Sequence, residues 1–150
     1  MKKIIFLLVL IALKTSCSIA PKKYHRENQV LSTYLKEMKL ENIPSKFEYL
    51  ILIPSFHCEG CVLKSFQYLA QMIDENTKSK ICIIGASNVV FPNYIKQRIK
   101  VYKDKRNILD SYQLDLESFS IFKMKEENIV DIKFFNSENL LELEEFDFTI

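Results

Sequence analysis

Two runs of β-forming apolar residues constrain this chain more than any other feature: Phe47-Glu48-Tyr49-Leu50-Ile51-Leu52-Ile53 and Lys80-Ile81-Cys82-Ile83-Ile84-Gly85. A strand with one solvated face alternates apolar and polar residues, and neither run does. Both therefore predict strands covered on both faces, which calls for helices on either side of a sheet. Helical spacing is found where that demand puts it. Val30, Leu31, Tyr34, Leu35, Met38 and Leu40 recur at near-helical intervals over 27–42, ended by Ile43-Pro44-Ser45. Val62, Phe66, Leu69, Ala70 and Ile73 do the same from Cys58 to about residue 76. Pro92 opens a further helical stretch reaching about residue 102. Segments 119–124 and 129–135 flank Lys125-Glu126-Glu127-Asn128 as a hairpin. Residues 107–116 are ambiguous, and 139–150 read equally as helix or strand. The order strand, helix, strand, helix, hairpin predicts an α/β fold of three layers, a central mixed sheet flanked by helices.

Where the chain resides decides how its cysteines are read. It opens with Lys2 and Lys3, followed by an unbroken apolar run over 4–13. About ten residues cannot span a hydrocarbon core as a helix, which takes about 20. They fit the apolar region of a secretory signal. Thr15-Ser16-Cys17 then resembles the bacterial lipobox, with Lys14 where leucine is usual and Leu13 one place early. That resemblance implies a lipoprotein signal peptide over 1–16, acyl chains (diacylglycerol, then palmitate) on Cys17, a tether over 17–26 and a folded domain over 27–150. The membrane is then a partner through the lipid on Cys17, each buried CH₂ contributing about 0.8 kcal/mol. The expected location is the bacterial cell envelope, on an extracytoplasmic, periplasm-facing side. An uncleaved signal anchor with an incidental Cys17 is the alternative.

Loss of Lys2, Lys3 and Lys14 with the signal turns the formal net charge of +2 into −1. No basic patch with interleaved aromatics stands out, so nucleic acid is not an expected partner. The acids clustered over 126–150 predict a solvated face, and a monomer is expected. Hydrophobic residues make up 48% of the chain, enough for a core and too much for disorder.

Outside the cytosol paired thiols tend to be oxidised. Of four cysteines, setting Cys17 aside leaves Cys58, Cys61 and Cys82, a pair plus an odd thiol and not a disulfide framework. Cys82 lies mid-strand and reads as an inert core thiol. Cys58-Glu59-Gly60-Cys61 lies where a buried strand gives way to a helix. The first N–H groups of a helix lack intrahelical partners and sit at the positive end of its dipole, so an anion is favoured there. A thiolate at Cys58 is such an anion, titrating below the free value of about 8.5, and thiolate is the attacking species in disulfide exchange. Cys61, nearly one turn on, faces the same way and can resolve the mixed disulfide. Three neighbours modulate the pair. His57, when protonated, stabilises the thiolate, Glu59 opposes it, and Gly60 separates the cysteines in a chain with two glycines where roughly ten are expected.

The stretch YLILIPSFHCEGCVLKSFQYL, a hydrophobic strand, an aromatic residue, CxxC and a helix, resembles the thioredoxin-like superfamily. In its lipid-anchored form it is similar to the exported thiol–disulfide proteins of Bacteroidota-type bacteria. The resemblance covers 47–135. It implies a thioredoxin-like fold, exchange with thiol or disulfide partners through Cys58 and Cys61 as catalytic residues, and no cofactor. The family also carries a cis-proline just before the first hairpin strand, beside the cysteines, where it helps grip substrate backbone. Here the corresponding place is near Leu116-Glu117-Ser118, and no proline follows Pro92. Phe56 and His57 stand where tryptophan often precedes the motif.

Two other readings use the same cysteines. One is a structural disulfide that pins the helix start and never turns over. The other is a Cu(I)-binding module, since HCEGCV resembles the ligand loop of heavy-metal-associated domains and soft thiolates suit Cu(I). A zinc site lacks the four ligands that tetrahedral closure needs, with His57 and the remote His25 alone to add. His25 reads as a solvated tether residue. No nucleophile elbow, paired carboxylates or phosphate-binding glycine loop is present, which leaves hydrolase and nucleotide chemistry without support.

Overall fold

A computed structural model of the chain describes residues 23–146 and residue 148. The signal and lipobox readings, with Lys14 and Cys17, lie outside the described residues. Among the described residues no helix is long and apolar enough to cross a membrane.

The two apolar runs form the centre of the sheet. β1 (Tyr49–Ile53) and β2 (Ile81–Ala86) are wholly buried and pair in parallel, with Ile51 opposite Ile83. On its other side β1 meets β4 (Phe119–Lys125) antiparallel, Ile51 opposite Ile121, and β4 turns back into β5 (Asn128–Phe135). β3 (Lys100–Asp104) pairs in parallel with the outer side of β2, giving a five-stranded mixed sheet in the order β3-β2-β1-β4-β5.

Side chains along a strand alternate between faces, and both faces of β1 are covered. Tyr49, Ile51 and Ile53 join one core with Val62, Phe66 and Leu69 of α3 (Glu59–Met72). Leu50 and Leu52 join the opposite core with Leu31, Tyr34 and Leu35 of α1 (His25–Glu37). The result is the three-layer α/β arrangement expected. Each such Leu, Ile or Phe, once buried, contributes roughly 1.5–3 kcal/mol, so the two helices hold the sheet from both sides.

Element ends depart from the sequence-based expectation for identifiable reasons. α1 begins at His25, so His25 and Arg26 lie in its first turn. It stops at Glu37 and not near residue 42, because Lys39 takes φ 58° and the Leu40 N–H returns to the Leu35 carbonyl at 2.8 Å. A left-handed residue just past the last turn is a common helix stop. Ile43-Pro44-Ser45, expected to end this first helix, lies beyond its end, but Pro44 does not leave the chain irregular. It sits instead in the first turn of the short α2 (Ile43–Lys46), where a missing N–H costs little. α3 ends at Met72 and not near residue 76. Arg98 caps that end, donating to the carbonyls of Ala70 at 2.6 Å and of Ile73.

The largest correction concerns 92–102. Helix is confined to α4 (Asn93–Lys96), and Lys100 onward is the edge strand β3. Ile95 and Ile99, four apart and both buried, mimic helical spacing, but the chain turns between them and Lys100-Val101-Tyr102 take up ladder positions along β2. The hairpin is present, with Glu126 and Glu127 at φ 49° and 63° as its two-residue turn. Among its described residues the C-terminal stretch forms neither α-helix nor strand but a 3₁₀ turn, Leu140–Leu143. Beyond it Phe146 and Phe148 pack edge-on against Tyr49, with ring centres 6.1 and 5.0 Å away. Among the described residues the acids of this region are exposed as expected, apart from Asp131, half-buried beside the Tyr24 hydroxyl.

Candidate functional site

β1, β2 and β3 run in parallel, so their carboxyl ends share one edge of the sheet, the edge where ligand and reaction sites of α/β sheets gather. The loops there converge on Ser55, three residues before Cys58. Asp110, in the 3₁₀ turn Ile108–Ser111 after β3, accepts the Ser55 backbone N–H at 3.1 Å through one oxygen and the Ser55 hydroxyl through the other. Asn88, from the loop after β2, donates its amide to the Ser55 carbonyl at 2.8 Å. The segment leaving β1 is thereby tied to both neighbouring loops before it reaches the cysteines.

His57 is half-buried, with ring Nδ1 2.7 Å from the Pro54 carbonyl. A carbonyl only accepts, so Nδ1 is the nitrogen that donates. Cys58 follows as the N-cap of α3, its backbone extended at φ −75° and ψ 110°. Its Sγ accepts the Cys61 N–H at 3.2 Å, and its carbonyl accepts the Val62 N–H at 3.0 Å. Sulfur thus takes the role that a serine or aspartate oxygen usually plays for the unpaired donors of a first turn. The Cys58 N–H donates in turn to Oγ of Ser118, at 3.0 Å, immediately before β4.

The two sulfurs are bonded, with Cα atoms 5.2 Å apart. Cys58 is exposed, whereas Cys61 is only 6% exposed and belongs to the core beneath α3. One sulfur can be reached by a partner and the other is shielded beneath it.

Compared with known proteins, the chain matches no family model, no curated protein and no solved structure. What the site can do rests on its own geometry.

That geometry is a cysteine pair at disulfide distance on a helix start, compatible with thiol–disulfide exchange. The residues singled out by sequence are brought together to different degrees. Cys58, Cys61 and His57 share one turn of chain, and Glu59 is exposed at the first helical position. Gly60 is not required by the backbone: its φ is not positive, and a Cβ built there meets nothing within 4 Å. What it leaves is open space over the exposed start of α3. Among the described residues no three His, Cys, Asp or Glu side chains converge on a metal position. His25 is exposed on α1, against Gln29.

Cys82 is wholly buried on the opposite face of the sheet from Cys61. Burial pushes its thiol up to about 12, with Lys100 pulling weakly the other way. Ser118, Asp110 and Asn88 are site residues that sequence reasoning did not single out. The resemblance pointed to the neighbourhood of Ser118; nothing pointed to Asp110, which falls in the segment read as ambiguous.

Proposed function

We propose that this protein is a lipid-anchored thiol–disulfide exchange protein with a thioredoxin-like domain, acting through Cys58 and Cys61 on an extracytoplasmic side of the bacterial cell envelope. The observation that carries this reading is the asymmetry of the pair, an exposed Cys58 capping α3 over a buried Cys61. A purely structural staple has no need of one accessible sulfur held by a helix N–H. The sheet lends support: β1, the CxxC, α3, β2 and the β4–β5 hairpin follow in the expected order, with the second helix of that order reduced to α4 and β3 added at the edge. Ser118 stands at the entrance to the hairpin beside Cys58, at the place where the resemblance expects a cis-proline that this chain does not carry.

In the reduced protein the Cys58 thiolate, favoured by the Cys61 N–H and the start of α3, attacks one sulfur of a partner's disulfide. The Cys58–partner bond forms, the partner's disulfide breaks, and the departing partner thiolate takes up a proton. Cys61 then gives up its proton and attacks the Cys58 sulfur. The internal disulfide forms, the mixed disulfide breaks, and the second partner thiol leaves. Two electrons pass from the dithiol to the partner; run backwards, the same steps oxidise a partner dithiol. Acyl chains on Cys17 would confine this exchange to partners at the membrane surface.

The test is alkylation of the reduced full-length chain in detergent by iodoacetamide across a pH series, with each cysteine followed by mass spectrometry. Cys58 should react selectively, with an apparent pKa well below about 8.5. Equal reactivity of Cys58 and Cys61 near that value would leave the dithiol unpoised and sink the proposal. Incorporation of labelled palmitate, lost in Cys17→Ser, tests the anchor separately.

A further inference from the structure

The inward stripe of α3 is Cys61, Val62, Ser65, Phe66 and Leu69. Four of these suit a core. Ser65 does not: it is 0% exposed, and its Oγ has no hydrogen-bond partner. A buried hydroxyl left unpaired is unfavourable, and alanine would fill the position with better helix propensity and no polar atom. Ser65 is four residues after Cys61. In a helix the Cα–Cβ bond tilts toward the N-terminus, so the Ser65 side chain leans along the stripe toward Cys61.

We propose that Ser65 sets the redox poise of the Cys58–Cys61 pair by donating its hydroxyl to the Cys61 sulfur once the disulfide opens. The proposal rests on the exchange reading above. In the oxidised form neither sulfur of the disulfide takes the Ser65 hydroxyl, which is left unpaired. Opening the pair takes two electrons and two protons and turns Cys61 into a thiol or thiolate, a better acceptor in a position screened from water. Ser65 is then satisfied in the reduced form alone. It stabilises the dithiol relative to the disulfide and makes the pair more oxidising than its surroundings alone would. Ser65 touches no partner in this scheme; it is a positioning residue acting through Cys61.

The full-length chain and Ser65→Ala, both in detergent, would be equilibrated with mixtures of reduced and oxidised glutathione, in which two glutathione thiols supply the two electrons. The reduced fraction is then read by thiol-specific mass tagging. Ser65→Ala should favour the disulfide by about three- to tenfold, a tenfold change being about 30 mV toward more reducing potential. Ser65→Thr keeps the hydroxyl and should stay within about twofold of the parent, the shift following loss of the donor and not of shape. Thermal unfolding adds a second readout: Ser65→Ala should raise the midpoint of the oxidised form more than that of the reduced form. No shift in the glutathione equilibrium, or equal midpoint changes in both forms, would mean that the hydroxyl serves the same group in both states, and would overturn the proposal. A parent pair that cycles normally with no effect of Ser65→Ala removes the role of Ser65 alone. A parent pair that no thiol reductant opens in the folded protein removes the exchange reading and this one with it.

Discussion

The backbone N–H of Cys58 donates to the Oγ of Ser118 at 3.0 Å, joining residues 60 positions apart in sequence. This bond connects the start of α3 to the start of β4 and fixes the N-cap on which the exposed sulfur is carried. Ser118→Ala removes the acceptor. Because the bond is near solvent, water can replace part of it, so the expected loss of stability is modest, about 0.5–1 kcal/mol in urea unfolding. The larger effect should be on the site. With the cap loosened, the preference of iodoacetamide for Cys58 over Cys61 should narrow, and a preference unchanged from the parent would show that the bond does not order the cysteine.

On the exchange reading, Cys61→Ser should trap a species that the parent only passes through. With the shielded sulfur gone, a disulfide formed between the exposed Cys58 and a small disulfide such as oxidised glutathione has no internal attacker. The mixed species should persist and be seen by mass as a single adduct. Cys58→Ser should form it about tenfold more slowly or worse, since Cys61 is buried beneath α3. Equal adduct formation by both variants would contradict the division of roles between the two cysteines.

Much of this site is legible in the sequence, because thiol chemistry needs particular residue types at a particular spacing and at a particular junction. Cys58 and Cys61 satisfy all three conditions. β1 and β2 are legible for a different reason: burial on both faces forces every residue to be apolar, and few other arrangements produce such runs. β3 is not legible, because an edge strand is shaped by its ladder to β2 and its exposed Lys100 and Lys103 carry no burial pattern. Ile95 and Ile99 then supply a helical spacing that the chain does not use. Ser118 and Asp110 carry no local signal either, since their roles are contacts across 60 and 55 residues. Gly60 shows the opposite error. Its rarity drew attention, yet the glycine that the packing requires is Gly85.

At Gly85, in the middle of the sheet, a Cβ would meet the Phe91 ring at 2.7 Å and Val89 at 3.1 Å. Both belong to the loop that folds back over β2. Gly85→Ala should therefore overpack the core beside this loop and cost about 1–3 kcal/mol, whereas Gly60→Ala, with open space around it, should leave stability within about 0.5 kcal/mol. Denaturant unfolding of the two variants side by side checks both values, and equal losses would contradict the assignment.

The turn between β4 and β5 holds two non-glycine residues, Glu126 and Glu127, with positive φ. Right-handed strand twist favours such a turn, but the residues suited to it are asparagine, aspartate and glycine. Glu127→Gly should relieve backbone strain and raise stability by about 0.5–1 kcal/mol, most clearly when Asn replaces Glu126 as well. A drop in thermal midpoint would mean that the carboxylates make a compensating contribution at the turn.

Cys82 provides a pH signature. Its thiol is held neutral by burial up to about 12, against an ordinary value of 9.0. Below pH 9 both folded and unfolded chains carry the proton, and the group adds no pH dependence. Above it the unfolded chain releases the proton while the folded chain keeps it, so ionisation favours unfolding and stability falls as pH rises, until the folded thiol also titrates near 12. The Tyr34 hydroxyl acts in the same direction from a higher starting point, raised by burial and then by Asp104. Comparison with Cys82→Ala separates the two, since Tyr34 is common to both proteins. The variant should be less stable than the parent near neutral pH, having lost buried volume, and its stability should fall less steeply between pH 9 and about 12. In the folded parent Cys82 should also resist iodoacetamide at pH 9 and react once urea unfolds the chain. Parallel stability curves for parent and variant over that window would show that burial does not hold the thiol neutral.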